Sequence, residues 1–172
     1  MLVGAVGCVA AAGVVAVHVM SGSGPSHAIS TPQRLGSYVQ EPSLASGMGA
    51  NALRSKILAA GGGEASHVVD AVYEDSTGAA AKSGPLIILF VGGNLSGSAS
   101  SFITSLTGLP GAFVINPGSL QGQAACVPGA HLSECAWADN DTFGVIASPV
   151  LSATALGNEL RTMRPMLEHV VK

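Results

Sequence analysis

The stretch Val91-Gly92-Gly93-Asn94-Leu95-Ser96-Gly97-Ser98 comes closest in this chain to a known binding chemistry. A strand that runs into a glycine-rich loop and then a helix can cradle phosphate on its backbone amides. Gly92 and Gly97 have the spacing of a P-loop, yet Ser98-Ala99 stands where Lys and Ser/Thr should follow. Nor does the stretch match G-x-G-x-x-G. It reads as a flexible turn leading into an ordinary helix cap.

Nucleophile motifs are missing as well. No G-x-S-x-G elbow occurs, and none of the three lysines has a Ser three residues before it. The five histidines are His18, His27, His67, His131 and His169. The first two fall in the N-terminal targeting region, and the other three form neither an i,i+4 pair nor H-E-x-x-H. A hydrolase would need His67, His131 or His169 within hydrogen-bond reach of a Ser in a cleft. Asp139-Asn140-Asp141-Thr142 offers several oxygens but lacks the Gly and the terminal Glu of an EF-hand loop, so it reads as a polar hairpin turn. Glu64, Asp70, Glu74 and Asp75 read as solvated carboxylates, and Trp137 as a residue packed in the sheet. Asn94-Leu95-Ser96 and Asn140-Asp141-Thr142 are formal glycosylation sequons, meaningful only in a eukaryotic secretory host. No catalytic, cofactor-binding or metal-binding residue is assigned on this reading, and no cofactor is implied.

The cysteines carry more information. Cys8 lies in an apolar segment, which leaves Cys126 and Cys135 as a pair. The eight residues between them include Pro128 and Gly129, so the chain can turn back and bring the thiols together. A disulfide closing so short a loop stabilises a fold by ~2.5–3 kcal/mol on chain entropy, and it fits an oxidising compartment. The competing reading is two free thiols acting as small buried hydrophobes. The spacing suits neither Cys-x-x-Cys redox chemistry nor a zinc knuckle.

Residues 2–20 read LVGAVGCVAAAGVVAVHVM, interrupted only by His18. Nineteen helical residues span ~28 Å, close to the hydrocarbon thickness of a bilayer. A soluble buried helix of that length normally keeps a polar face. Two export readings stay open. One is a retained single-pass membrane anchor; the other is a cleaved signal, with Ser26-His27-Ala28 as the small-x-small site and a secreted product. Both want Lys or Arg ahead of the apolar run, and the expected reason for their absence is a start upstream of this one. The 172 residues then divide into a hydrophobic segment at 1–20, a flexible linker at 21–34 and an extracytoplasmic domain at 35–172. A net charge of −3 with no run of Lys or Arg leaves no footprint for nucleic acid.

The elements that must position these residues follow from periodicity. Strands are predicted at 35–40, 67–74, 85–91, 112–115, 134–139 and 143–148. In the second of these Val69, Ala71 and Tyr73 share a face opposite Asp70 and Glu74; the last two form a hairpin around Asn140-Asp141. Helices are predicted from Ser43 to Ala60, from a cap at Ser98, and through the C-terminal segment. In that last helix Leu156, Leu160, Met163, Leu167 and Val170 make an apolar stripe, and Glu159, Arg161, Arg164 and Glu168 face away, with a kink at Pro165. The expected class is α+β: a largely antiparallel sheet of five or six strands with amphipathic helices packed on one face.

Three stretches together resemble a known group. They are Gly122-Gln123-Ala124-Ala125-Cys126, then Cys135-Ala136-Trp137-Ala138-Asp139 with Phe143-Gly144-Val145, then Arg161-Thr162-Met163-Arg164-Pro165. In combination they are similar to small membrane-tethered or secreted proteins of uncharacterised function from actinobacteria. The paired cysteines ahead of a hairpin and a final helix more distantly resemble extracellular sensor domains of actinobacterial receptor kinases. The resemblance covers roughly residues 35–172 and implies an envelope protein, with no catalytic residue to carry over. The expected function is a non-enzymatic binding or sensory module at the membrane. A secreted small-molecule or lipid-binding protein and an unrecognised hydrolase are the alternatives.

Overall fold

A computed structural model describes residues 26–75 and 85–171. In chain order the elements are β1 (Ser26–Ile29), β2 (Arg34–Leu35), β3 (Tyr38–Gln40), a 3-10 turn at Pro42–Leu44, α1 (Ala50–Ala60), β4 (Ala65–Asp75), β5 (Leu86–Leu95), α2 (Ala99–Thr107), β6 (Phe113–Val114), β7 (Gln123–Val127), β8 (Ser133–Ala138), β9 (Thr142–Ser148), α3 (Ala153–Leu167) and β10 (Glu168–Val171). The class is α+β. One antiparallel sheet has eight strands in the order β2-β3-β4-β5-β9-β8-β7-β6, and β1 pairs with β10 in a separate two-stranded sheet. The hydrophobic segment at 1–20 lies outside the described residues. Among the described residues no helix is long and apolar enough to cross a membrane.

The sheet is larger than its sequence pattern indicates, and helices cover both of its faces rather than one. The reason lies in β5. Leu89 and Val91 pack toward α1 and α2, through Leu53, Ile57, Phe102, Ile103 and Leu106. Ile88 and Phe90 pack toward α3, through Leu156, Leu160, Met163 and Leu167. Successive side chains on a strand alternate between faces, so a strand apolar at every position demands a cover on each side. β4 repeats the arrangement: Val68 and Val72 join the first core, Ala71 and Tyr73 the second.

Several boundaries also move. The first predicted strand is a hairpin, β2 to β3, turned at Gly36 with φ +62°. The first helix begins at Ala50, after Gly49 at φ +74°, and not at Ser43. Gly92 and Gly93, expected in a flexible turn, are interior residues of β5, paired with Gly144 and Phe143 of β9. A Cβ on Gly93 would stand 2.6 Å from the Ser66 carbonyl oxygen, so glycine here permits close strand approach. Ser98 does cap α2, accepting from the Ser101 N–H at 3.3 Å.

β1 occupies residues expected to belong to a linker. Its register with β10 runs from Ser26↔Val171 to Ile29↔Glu168, and the Ser30 N–H donates to the Leu167 carbonyl at 2.8 Å. The folded unit therefore includes Ser26–Ile29, ahead of Leu35.

Candidate functional site

β7 and β8 place Cys126 directly opposite Cys135, with Cα atoms 4.0 Å apart, and the two are joined as a disulfide. Both lie on the face covered by α3, beside Trp137. The Trp137 ring stacks on Phe90 with centroids 5.9 Å apart. Its cross-strand partner is Gly144, where an added Cβ would meet the indole at 2.2 Å. The missing side chain is what lets the ring lie flat over β9.

A buried polar cluster surrounds the indole at the end of α3. This helix is capped by Ser152, which accepts from the Ala155 N–H, and it runs through Pro165 before the chain becomes extended at Glu168. Arg164 and Glu168 are each only 1% exposed, although the helical pattern suggested that both face away from the core. Arg164 lies four residues after Leu160 and next to Met163, so it shares the buried stripe. Val170, assigned to that stripe, lies instead in β10 and is exposed.

The guanidinium is fully engaged. Arg164 Nε donates to Glu168 Oε2 at 2.8 Å and Nη2 to Glu168 Oε1 at 3.2 Å. Nη2 also reaches Asp139 Oδ2 at 3.2 Å, and Nη1 donates to the carbonyls of Pro117 and Gln121 at 3.2 and 2.5 Å. Trp137 Nε1 donates to Glu168 Oε2 at 2.8 Å. Asp139 holds the β8–β9 turn through Oδ1, which accepts from the N–H groups of Asp141 and Thr142 and from the Thr142 hydroxyl. β1 brings His27 to the rim, with Nδ1 3.2 Å from Asp139 Oδ2 and 3.4 Å from Glu168 Oε1.

The two carboxyls titrate in opposite directions. Burial pushes both up. For Glu168 it prevails over the Arg164 guanidinium and holds the carboxyl above its ordinary value. For Asp139 a hydrogen bond from the Glu168 carboxyl, the two turn N–H groups and His27 outweigh burial and bring it below its ordinary value. His27, Asp139 and Glu168 have ligand atoms within 4.8 Å of one another, close enough for a metal ion. However, the Arg164 Nη2 atom already sits 3.2 Å from the two oxygens that such an ion would need. A divalent cation would have to displace a buried guanidinium from all of its partners. The donor set is matched to arginine, and the cluster is an internal clasp joining β1, the β8–β9 turn, α3 and β10.

A second feature opens where α3 crosses β2 and β3. A groove of about 270 Å³ is walled by Leu35, Leu86, Met163 and Met166, with Tyr38, Asp75 and Glu159 also lining it. Asp75 was expected to be solvated; it is buried and accepts from the Ser37 hydroxyl at 2.6 Å. Burial, then the charge of Glu159 and a hydrogen bond with it, then the charge of Asp75, push the Tyr38 hydroxyl well above its ordinary value.

Other singled-out residues stay apart. His67 Nδ1 lies 3.3 Å from the Ser66 hydroxyl, but both residues are exposed, and so are His131 and His169. Asp70 pairs with Arg54 at 3.3 Å across α1 and β4. His27, Arg164 and Glu168 went unassigned by sequence reasoning. The available signal was the i,i+4 spacing of Arg164 and Glu168 in register with Leu156 and Leu160. No protein-family model, curated protein or solved structure matches this chain.

Proposed function

We propose that this chain is a non-enzymatic extracytoplasmic module of the cell envelope, tethered by its hydrophobic segment at 2–20, that binds an envelope component. One observation carries the tethered reading. β1 is part of the fold, and His27 reaches Asp139 and Glu168 of the buried clasp. Cleavage after Ala28, the small-x-small site, would remove three of the four β1 residues and His27 with them. Retention of the segment leaves that strand whole. Five residues, 21–25, then separate Met20 from β1, a reach of at most ~18 Å. The domain would stand close to the membrane surface. The Cys126–Cys135 disulfide supports the oxidising side of that membrane.

The secreted alternative draws on the groove under α3, whose volume of about 270 Å³ falls short of the ~300 Å³ at which small-molecule pockets begin. Unreduced intact-mass measurement on membrane and culture fractions of the native host decides between them. A membrane species retaining residues 2–20, two hydrogens light, is the expected result. A soluble species beginning at Ile29 would overturn the tethered reading.

A further inference from the structure

We propose that β1 is a releasable strap, which opens from β10 and from the buried clasp as a unit while the eight-stranded sheet stays folded. The inference goes beyond the binding-module reading, and only its link to the membrane rests on the tether. β1 forms its ladder with β10 alone, in a two-stranded sheet separate from the main one. Such a ribbon is marginally stable without further packing. β1 lies against β5 and β9, yet of its four residues only Ala28 is buried, and Ser26, His27 and Ile29 are half-buried. Ile29 touches the core on the α3 side, and the Ser30 N–H donates to the Leu167 carbonyl at 2.8 Å.

The clasp stays closed without β1. Arg164 donates to both oxygens of Glu168 and to Asp139 Oδ2, and Asp139 Oδ1 holds the β8–β9 turn. Withdrawing His27 removes one nitrogen, which lies 3.2 Å from Asp139 Oδ2 and 3.4 Å from Glu168 Oε1, and lets water reach the two carboxyls. Hydration then replaces the lost contact, so the opening strands no buried charge. The strap also ends at a fixed point. The fully buried Tyr73 donates its hydroxyl to the Pro32 carbonyl at 2.9 Å and pins the chain ahead of β2. Ser30 and Thr31 are therefore the hinge.

Release has two consequences. It leaves β10 with an unpaired edge, to which another strand can add. It also changes the surroundings of Glu168, which accepts from the Trp137 indole N–H, so the one tryptophan of the chain reports the state of the strap. With the hydrophobic segment at 2–20 retained, residues 21–25 join it to β1. Displacement of that segment then reaches the clasp through the strap.

The test is native-state hydrogen exchange, read by mass spectrometry in sub-denaturing urea, on the full chain in lipid nanodiscs. The paired amides of residues 26–30 are expected to exchange about 100-fold faster than those of β5, with almost no urea dependence, as local opening requires. His27→Ala should speed them about tenfold, leave β5 protected and shift the Trp137 emission. A disulfide between Ala28→Cys and His169→Cys, partners in the strand register, should slow them. Exchange of residues 26–30 at the rate and urea dependence of β5 would make β1 integral to the core and overturn the strap. Exchange unaffected by the cross-link would do the same. Unaltered emission in His27→Ala would overturn the coupling to the clasp. A chain that fails to enter nanodiscs would count against the tether alone, and the same exchange comparison in solution would still decide the strap.

Discussion

Arg164 Nε donates to Glu168 Oε2 at 2.8 Å across the last turn of α3, and the Trp137 indole N–H donates to the same oxygen at 2.8 Å. The pair is almost wholly withdrawn from water, with side-chain exposures of 1% and 0%. A buried ion pair gains little over an apolar pair of the same shape, but losing one partner strands the other charge. Arg164→Met should therefore cost about 3–5 kcal/mol, read as a lower urea midpoint. Arg164→Met with Glu168→Met should recover part of that loss. Unchanged stability in the single variant would contradict the clasp.

The opposed titrations predict a pH profile with two limbs. Asp139 is held below its ordinary value of 3.8, so its contribution is present above 3.8 and disappears as pH falls through the folded value. Glu168 is held above its ordinary value of 4.5, so its contribution is complete below 4.5 and declines as pH rises through the folded value. Urea midpoints from roughly pH 2 to 8 should lose the acid limb in Asp139→Asn. Glu168→Gln should flatten the decline above 4.5. Profiles identical to wild type would show that neither carboxyl is linked to folding.

Because Arg164 holds the position a cation would take, the cluster of His27, Asp139 and Glu168 should not depend on metal. Thermal unfolding is expected to be the same with and without a chelator, and equilibrium dialysis against Zn²⁺ should leave none on the cluster. A rise in melting temperature on adding Zn²⁺, abolished by His27→Ala, would reverse that assignment.

The cross-strand disulfide closes a loop with a sequence separation of 9. Replacing both cysteines by Ser should lower stability by ~2.5–3 kcal/mol on chain-entropy grounds. Denaturation of the wild type with and without reductant should give a similar gap. A gap near zero would mean that the strand pairing alone sets the geometry.

Gly144 is predicted to tolerate no side chain. Ala at this position would drive a methyl group into the Trp137 ring, and overpacking of this kind costs about 1–3 kcal/mol. Near-ultraviolet circular dichroism should report a changed indole environment in Gly144→Ala. A variant with native signal and stability would remove the account of the flat-lying ring.

The sequence by itself determined the local elements whose period is unambiguous. The β8–β9 hairpin, the Ser98 cap with Phe102 and Leu106 buried one turn apart, the Leu156–Leu160–Met163–Leu167 stripe and the pairing of Cys126 with Cys135 all depend on residues near each other in the chain. What only tertiary structure decided involves partners far apart. β1 and β10 are too short to show a period and exist as strands because they find each other across the whole domain. The Gly92-Gly93 segment looks like a turn locally and becomes strand because β4 and β9 supply its hydrogen bonds on both sides. Arg164 and Glu168 look like a solvated helix face, since charge normally marks the surface. They are interior because Trp137, Asp139 and the carbonyls of Pro117 and Gln121 converge on them, and a buried charge is tolerated only where such partners meet it.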